Sequence, residues 1–137
     1  MILVTMENIN ELLINASKKG DLESVMNYHR NGANINAYNN YAIQFAAKNG
    51  HFEVVKYLHI NGSNINSNYD GALQMTSVNW HIEVVKYLHI NCANINADDY
   101  YALRWSVFNY NLEIVKYLLQ NGARINYSNE KLCFVTT

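Results

Sequence analysis

The sequence predicts an all-α solenoid of stacked helix-turn-helix units. Three observations support this fold class: the chain repeats itself every 30 residues, each copy has an amphipathic helical pattern, and Asn-Gly pairs stand where most of these patterns stop. Self-similarity at a period of roughly 20 to 50 residues is the signature of repeat architectures. The clearest copies are GDLESVMNYHRNGANIN from Gly20, GHFEVVKYLHINGSNIN from Gly50, WHIEVVKYLHINCANIN from Trp80 and YNLEIVKYLLQNGARIN from Tyr110.

The period divides the chain into units. We predict an N-terminal lead at 1–9, a first, capping unit at 10–39, further units at 40–69, 70–99 and 100–129, and an incomplete fifth unit at 130–137. The final KLCFVTT matches the start of a unit without its second helix, so we expect either a truncated gene product or a fragment of a longer array. Helices of about nine residues do not persist alone in water, so the units must stack.

The second segment of each unit has the pattern of an amphipathic helix. Phe52, Val55 and Leu58 recur at i, i+3 and i+6, which predicts a buried stripe. The equivalent residues are Ile82, Val85 and Leu88 in the third unit and Leu112, Val115 and Leu118 in the fourth.

The first segment predicts a helix that lies close to its neighbours, because small residues follow Ile43 and Phe45; Met75 and Trp105 stand at the second of these positions in later units. Each second helix ends at a glycine suited to a left-handed C-cap, except where Cys92 replaces it. A side chain in that conformation predicts local strain.

Composition excludes several classes of protein. Of 137 residues, 50% are hydrophobic and 15% charged, and the net charge of -1 provides no general attraction to nucleic acid or to anionic membranes. The opening MILVTMENIN has neither the basic region nor the apolar length of a signal peptide. We therefore expect an intracellular protein, neither secreted nor membrane-bound, in which Cys92 and Cys133 are free thiols.

The phrases AIQFAAKNGH and GHFEVVKYLHINGSNIN resemble the ankyrin-repeat pattern: a short helix ending in Ala-Ala, a Gly-His junction, an amphipathic helix and a loop with a hydrophobic-Asn pair. The match covers residues of about 10 to 129. The 30-residue period, the Asn-rich loops and the phrases EVVKYL and YALRW are most similar to ankyrin-repeat proteins of giant amoeba-infecting DNA viruses of the Mimivirus type. The resemblance implies a protein-protein interaction module without cofactor or catalysis, in the host cytoplasm if the protein is viral.

The chain departs from that family in two places. The family unit has about 33 residues, and the missing residues fall where the family builds a β-hairpin finger, so shortened fingers are expected. The Thr-Pro-Leu-His opening of the family's first helix is replaced by Tyr41-Ala42-Ile43-Gln44 and its equivalents. The hydrogen bonds of that Thr and His are therefore absent, which predicts lower stability.

No phosphate loop, HExxH, paired CxxC or nucleophile elbow occurs, so the sequence predicts no catalytic, cofactor or metal residues. His29, His59 and His89 share one position of the repeat, which permits a metal or pH-switch hypothesis. We favour imidazoles at a partly buried helix interface, since equivalent residues lie about 8 to 10 Å apart, a whole helix layer. His51 and His81 fit the family's Gly-His junction. Two asparagine columns are expected to satisfy loop backbone groups: Asn34, Asn64 and Asn94, and Asn36, Asn66, Asn96 and Asn126.

The candidate partner-binding residues are Val78, Trp80, Phe108 and Tyr110, which replace the lysine and glycine found at these positions in the second unit. The resemblance implies that such positions line a concave binding face, where aromatic residues are candidate hot spots. The alternative is that the rings cover short loops or pack on one another. The polar rim of this hypothesis consists of Asn79, Asn109, Tyr69, Asp98 and Asp99.

The leading functional hypothesis is a scaffold or competitor that binds a protein partner through these residues. The alternative is a truncated or degenerate repeat product without a specific partner. We expect a monomer that binds neither nucleic acid nor membrane. Self-association through the C-terminal edge, at Leu132, Phe134 and Val135, is the second possibility for its oligomeric state.

Overall fold

Residues 6–124 fold as four stacked helix pairs. The computed structural model describes residues 6–124, apart from the side chains of Met6, Glu7 and Tyr69; the predicted fifth unit, Asn126 and Cys133 lie outside this range. No strand occurs within it, so the predicted all-α solenoid is confirmed. The helices are α1 (Met6–Lys19), α2 (Leu22–Arg30), α3 (Ala37–Lys48), α4 (Phe52–Ile60), α5 (Ser67–Val78), α6 (Ile82–Ile90), α7 (Ala97–Phe108) and α8 (Leu112–Gln120).

The pairs are joined chiefly through their first helices. α1 packs on α3, α3 on α5 and α5 on α7, whereas the second helices touch one another only sparsely. Ile43, Leu73 and Leu103 are buried between the first helices, and Leu58 and Leu88 are buried in the second. The core is therefore a continuous layer that runs the length of the stack.

The predicted stripe of the second helices is buried in the interior pairs. Val55 and Leu58 are fully buried. Phe52 is half-buried, and its ring centroid lies 5.4 Å from that of Tyr87 in the next pair. For Leu112 the prediction is wrong, because this side chain is 67% exposed. Phe52 is covered by a ring from the following pair, whereas no described residue provides such a ring beside Leu112.

Asparagine side chains close the loops, as expected. Asn34 donates its backbone N–H to Oδ1 of Asn10 at 2.6 Å, and its own Oδ1 accepts the N–H of Asn36 at 2.9 Å. The Asn66 amide donates to the carbonyl of Cys92 in the next pair at 3.1 Å. These bonds repeat at the equivalent loops, where Oδ1 of Asn40 and the carboxylate of Asp70 accept in place of Asn10. The columns therefore join each loop both to its own pair and to the next one.

A left-handed turn takes the place of the family's finger. Tyr38, Asn39 and Asn40 all have positive φ, between 51° and 64°, and the turn recurs at the start of α7. The amide of the buried Gln44 donates to the carbonyl of Asn39 at 2.8 Å, and its Oε1 accepts from Asn68 at 3.2 Å. In this pair Gln44 thus provides a hydrogen-bond network where the family uses Thr and His.

Cys92 occupies the left-handed position that glycine holds elsewhere. Its φ is 77°, against 99° at Gly32, 104° at Gly62 and 93° at Gly122. A Cβ in this conformation costs roughly 1 to 2 kcal/mol. The cysteine is exposed and gains no packing in return.

Replacement of Cys92 by glycine should raise the free energy of unfolding by about 1 kcal/mol, because the backbone strain is removed and no contact is lost. The urea midpoint of Cys92→Gly measures this. Gly62→Cys is the reverse control, since a Cβ at Gly62 meets no atom within 4 Å and adds only the backbone cost. An unchanged or lower midpoint for Cys92→Gly would contradict the interpretation.

Candidate functional site

The first helices share an outward surface, which we call the first-helix face. It consists of the positions i, i+4 and i+7, which lie on one side of a helix. Every member except the buried Gly71 is exposed or half-buried. The members are Glu11, Asn15 and Lys18 on α1; Tyr41, Phe45 and Lys48 on α3; Gly71, Met75 and Val78 on α5; and Tyr101, Trp105 and Phe108 on α7.

The face changes from polar to aromatic along the stack. On α7 the ring centroid of Trp105 lies 5.8 Å from that of Tyr101 and 5.2 Å from that of Phe108. The three rings form one aromatic line along the helix. Phe108 nevertheless remains 69% exposed, and Trp105 38%. Phe108 therefore packs on Trp105, and the line of rings still presents a large apolar surface to solvent.

Part of this surface was not found from the sequence. The sequence pattern assigns Phe45, Met75 and Trp105 to contacts between neighbouring helices, but these side chains lie on the outward face, half-buried or exposed. The i, i+4, i+7 series of Tyr101, Trp105 and Phe108 is the signal that identifies the correct side.

Trp80 and Tyr110 extend the aromatic surface just beyond the ends of α5 and α7. Both have a left-handed backbone, with φ of 72° and 57°, and the same turn carries glycine in the first two pairs, with φ of 76° at Gly20 and 74° at Gly50. Trp80 is 60% exposed and Tyr110 83% exposed. The chain thus carries large rings at two positions where its first two pairs have glycine, and both rings remain mostly exposed.

The residue of the next pair that lies under each of these turns also differs between the glycine turns and the Trp80 turn. A Cβ added at Gly20 or Gly50 would overlap the imidazole of His51 or His81 from the next pair. Below Trp80 the corresponding residue is the shorter Asn111, which leaves room for a Cβ.

This exchange also changes the hydrogen bonds at the position beneath the turn. Nε2 of His51 lies 3.0 Å from the carbonyl oxygen of Lys18, whereas Nδ2 of the buried Asn111 has no hydrogen-bond partner among the described residues. A buried donor without a partner costs roughly 1 to 3 kcal/mol. Trp80 therefore carries a local cost in its backbone. Beneath it, Asn111 has one unpaired donor, but its Oδ1 accepts the Ile114 N–H at 3.4 Å and caps α8, a bond that His51 and His81 do not make for their helices.

Trp80→Gly should stabilise the fold by about 1 kcal/mol, because it relieves the left-handed strain. Gly50→Trp should destabilise it by more than that, because strain is added to the overlap with His81. The double variant Gly50→Trp/His81→Asn copies the natural pair and should recover part of the loss. Urea denaturation of Gly50→Trp, His81→Asn and the double variant measures the coupling; additive effects of the two single changes would disprove the steric link.

Only part of the predicted polar rim lies beside the aromatic surface. The amides of Asn79 and Asn109 donate to the carbonyls of Met75 at 2.7 Å and Trp105 at 2.9 Å, so both close the ends of their helices beside the aromatic residues. Asp98 and Asp99 are exposed in the turn at the opposite end of α7, at least about 12 Å from Phe108 along the helix axis. Tyr69 belongs to the equivalent turn of α5.

The histidine column forms separate pairs between second helices. Nδ1 of His29, His59 and His89 lies 2.7, 2.8 and 2.8 Å from the hydroxyl oxygen of Tyr57, Tyr87 and Tyr117 in the next pair. Each imidazole and phenol ring meet edge to face. The preferred interpretation of half-buried imidazoles at a helix interface is confirmed.

These pairs predict an alkaline limit to stability. Burial raises the pKa of Tyr87 and Tyr117 above their usual value of 10.0, so the folded state keeps protons that the unfolded chain releases. Stability should therefore fall as the pH rises past about 10.

Tyr87→Phe and Tyr117→Phe should each flatten this alkaline slope and cost about 1 kcal/mol at neutral pH through the lost histidine contact. Urea midpoints between pH 7 and 11 measure both effects. Tyr110→Phe is the control for the loss of an exposed phenol. An unchanged slope in the double variant would contradict the assignment.

The described residues contain no group of three or more His, Cys, Asp or Glu side chains placed to hold a metal ion. Between residues 6 and 124, no helix combines the length and apolarity needed to cross a membrane. One shallow depression adjoins the aromatic surface, lined by Gly50, Trp80 and His81 among others. It contains no arrangement of nucleophile, base and oxyanion donors.

Helix pairs stacked through their first helices, with one continuous outward face, define a helical-repeat solenoid. The family model for ankyrin repeats, in three copies, matches residues 13–99 and again 43–129. The chain belongs to the ankyrin-repeat family. Such repeats are generally protein-protein interaction modules and are typically non-catalytic. A comparison with curated proteins finds no match.

Proposed function

We propose that this chain is a non-catalytic interaction module that binds a protein partner through the aromatic half of the first-helix face together with Trp80 and Tyr110. The observation that carries the proposal is the left-handed backbone of these two exposed aromatic residues at positions of glycine. Residues held in an unfavourable conformation cluster at functional sites, where the cost is offset by what the side chain does.

The composition of the surface supports the same proposal. Trp80, Trp105, Phe108 and Tyr110 are all exposed, and large rings of this kind dominate the binding energy of protein interfaces. Exposed apolar patches rimmed by polar groups are typical of interaction sites. Asn79 and Asn109 provide such groups at the helix ends.

The proposal extends to the setting in which the protein acts. The 30-residue period and the phrases EVVKYL and YALRW support a viral origin in the giant amoeba-infecting group, and with it an intracellular partner supplied by the host. A competitor that covers a host surface needs only shape and anchors, which a rigid repeat array provides.

The test uses residues that the protein itself places at these positions. The variant Phe108→Lys/Trp80→Gly/Tyr110→Gly installs the lysine and glycines of the second pair, so its fold should be at least as stable as that of the wild type. Ile60→Arg/Ile90→Gln is the matched control: it removes two residues that are 70% and 76% exposed on second helices and installs the residues found there in the first and fourth pairs.

Both variants and the wild type are used to capture proteins from amoebal extract after their helicity has been matched by circular dichroism. A protein retained by the wild type and by the Ile60/Ile90 control, with recovery at least about tenfold lower on the aromatic variant, is the expected result. Equal recovery on all three would refute the proposed surface. Absence of any specific partner would favour the degenerate-repeat alternative.

A further inference from the structure

We propose that the partner presents to this surface an extended peptide segment that is acidic at one end and apolar at the other. The acidic end lies over α1 and α3 and the apolar end over α5 and α7. This inference rests on the proposed function and specifies the chemistry of its partner.

Positive charge on the first-helix face is confined to the first two helix pairs. Lys18, Lys48, Val78 and Phe108 occupy one repeat position on successive first helices, so the row changes from two ammonium groups to two apolar side chains. Both lysines are exposed, and Nζ of Lys18 lies 4.6 Å from the ring centroid of Phe45, which places its charge on the face. The carboxylate of Glu11 lies on the same helix but two turns away.

The repeat position occupied by Gly20 and Gly50 shows the same change from one end of the stack to the other. Beside the two lysines stand Gly20 and Gly50, which leave the ammonium groups open to a ligand, and beside the apolar pair stand Trp80 and Tyr110. A ligand with one chemical character along its whole length would match only half of this row. Charge and apolar complementarity together therefore select a segment with two different ends.

The stack sets the length of that segment. Three helix-to-helix steps of about 8 to 10 Å separate Lys18 from Phe108, or roughly 24 to 30 Å in all. An extended peptide covers this distance with about eight or nine residues at 3.3 Å each. Its acidic residues would be about three positions apart to meet both lysines.

Exposed rings beside lysines are also used by proteins that bind single-stranded nucleic acid, but the distribution of charge favours a peptide. A nucleic acid carries a phosphate at every step and needs positive charge along the whole groove. Here the aromatic half of the row carries no lysine, and Asp98 and Asp99 stand at the other end of the same helix.

A displayed library of random twelve-residue peptides tests the inference. It is selected in parallel on the wild type, on Lys18→Glu/Lys48→Glu, on Trp80→Gly/Tyr110→Gly, and on Arg30→Glu/Lys116→Glu. The last variant makes the same change in net charge with exposed residues of the second helices. A fluorescent single-stranded oligonucleotide is titrated against the wild type as a separate arm.

Wild type and the Arg30/Lys116 control should enrich peptides with Asp or Glu at one end and aromatic or aliphatic residues at the other. The Lys18/Lys48 variant should exchange the acidic residues for Lys or Arg and keep the apolar end. A peptide resynthesised from the wild-type pool should bind that variant about tenfold more weakly at low salt, with a smaller difference at 0.5 M salt.

The failures are distinguishable. Enrichment without an acidic bias, or the same peptides on wild type and the Lys18/Lys48 variant, would overturn this inference. Loss of the apolar end on Trp80→Gly/Tyr110→Gly would in that case still support the proposed function. Peptides that do not distinguish the wild type from Trp80→Gly/Tyr110→Gly, or no enrichment at all, would overturn both. An oligonucleotide that binds more tightly than the resynthesised peptide would replace the peptide with a nucleic acid.

Discussion

Stacking between neighbouring helix pairs is the constraint on which the rest of this structure depends. The second helices have only nine residues, too few to persist alone in water, and they become stable when Val55, Leu58 and their equivalents are buried against a neighbour. Asparagine hydrogen bonds between loops hold the neighbours at a constant offset of one repeat. Because the same contacts recur at each step, every position of the repeat meets nearly the same surroundings.

That regularity makes exceptions interpretable within a single chain. Gly20 and Gly50 define what the turn after the first helix requires: a left-handed backbone above a histidine ring. Trp80 keeps the left-handed backbone without being glycine, and the residue beneath it is Asn111 rather than histidine. Nδ2 of Asn111 has no partner in the described structure, whereas its Oδ1 accepts the N–H of Ile114 at 3.4 Å. A change made only for stability would not place a bulky side chain on a strained backbone where glycine fits. The exchange provides the exposed ring of Trp80 and, through Oδ1 of Asn111, a capping hydrogen bond for α8.

The sequence predicted most of the fold because the fold is periodic, and it failed where burial depends on a neighbour. The helical segments, the asparagine-closed loops and the left-handed Cys92 all follow from local chemistry repeated in register. The exposure of Leu112 does not, because periodicity specifies the stripe but not whether another pair covers it. The same limit applies to Trp105. One side of its helix packs against the neighbouring helix and another side faces solvent, and the spacing of the apolar residues is compatible with either side being buried. The left-handed turn at 38–40 required coordinates, since three successive residues with positive φ have no simple sequence pattern.

The polarity of the first-helix face is linked to the same nearest-neighbour energetics. In a solenoid each pair is stabilised mainly by the adjacent ones, so a local cost at Trp80 falls on the third and fourth pairs and leaves the first two largely unaffected. A ligand seated on Trp80 and Phe108 would bridge α5 and α7, and would therefore stabilise the part of the stack where the strain lies. The polar half, with Lys18 and Lys48 beside the glycine turns at Gly20 and Gly50, would orient the ligand without that energetic link. Under the proposed function the two halves of the face would have different physical roles: the charge beside the glycine turns would set the direction of approach, and the aromatic surface around Trp80 would provide the affinity.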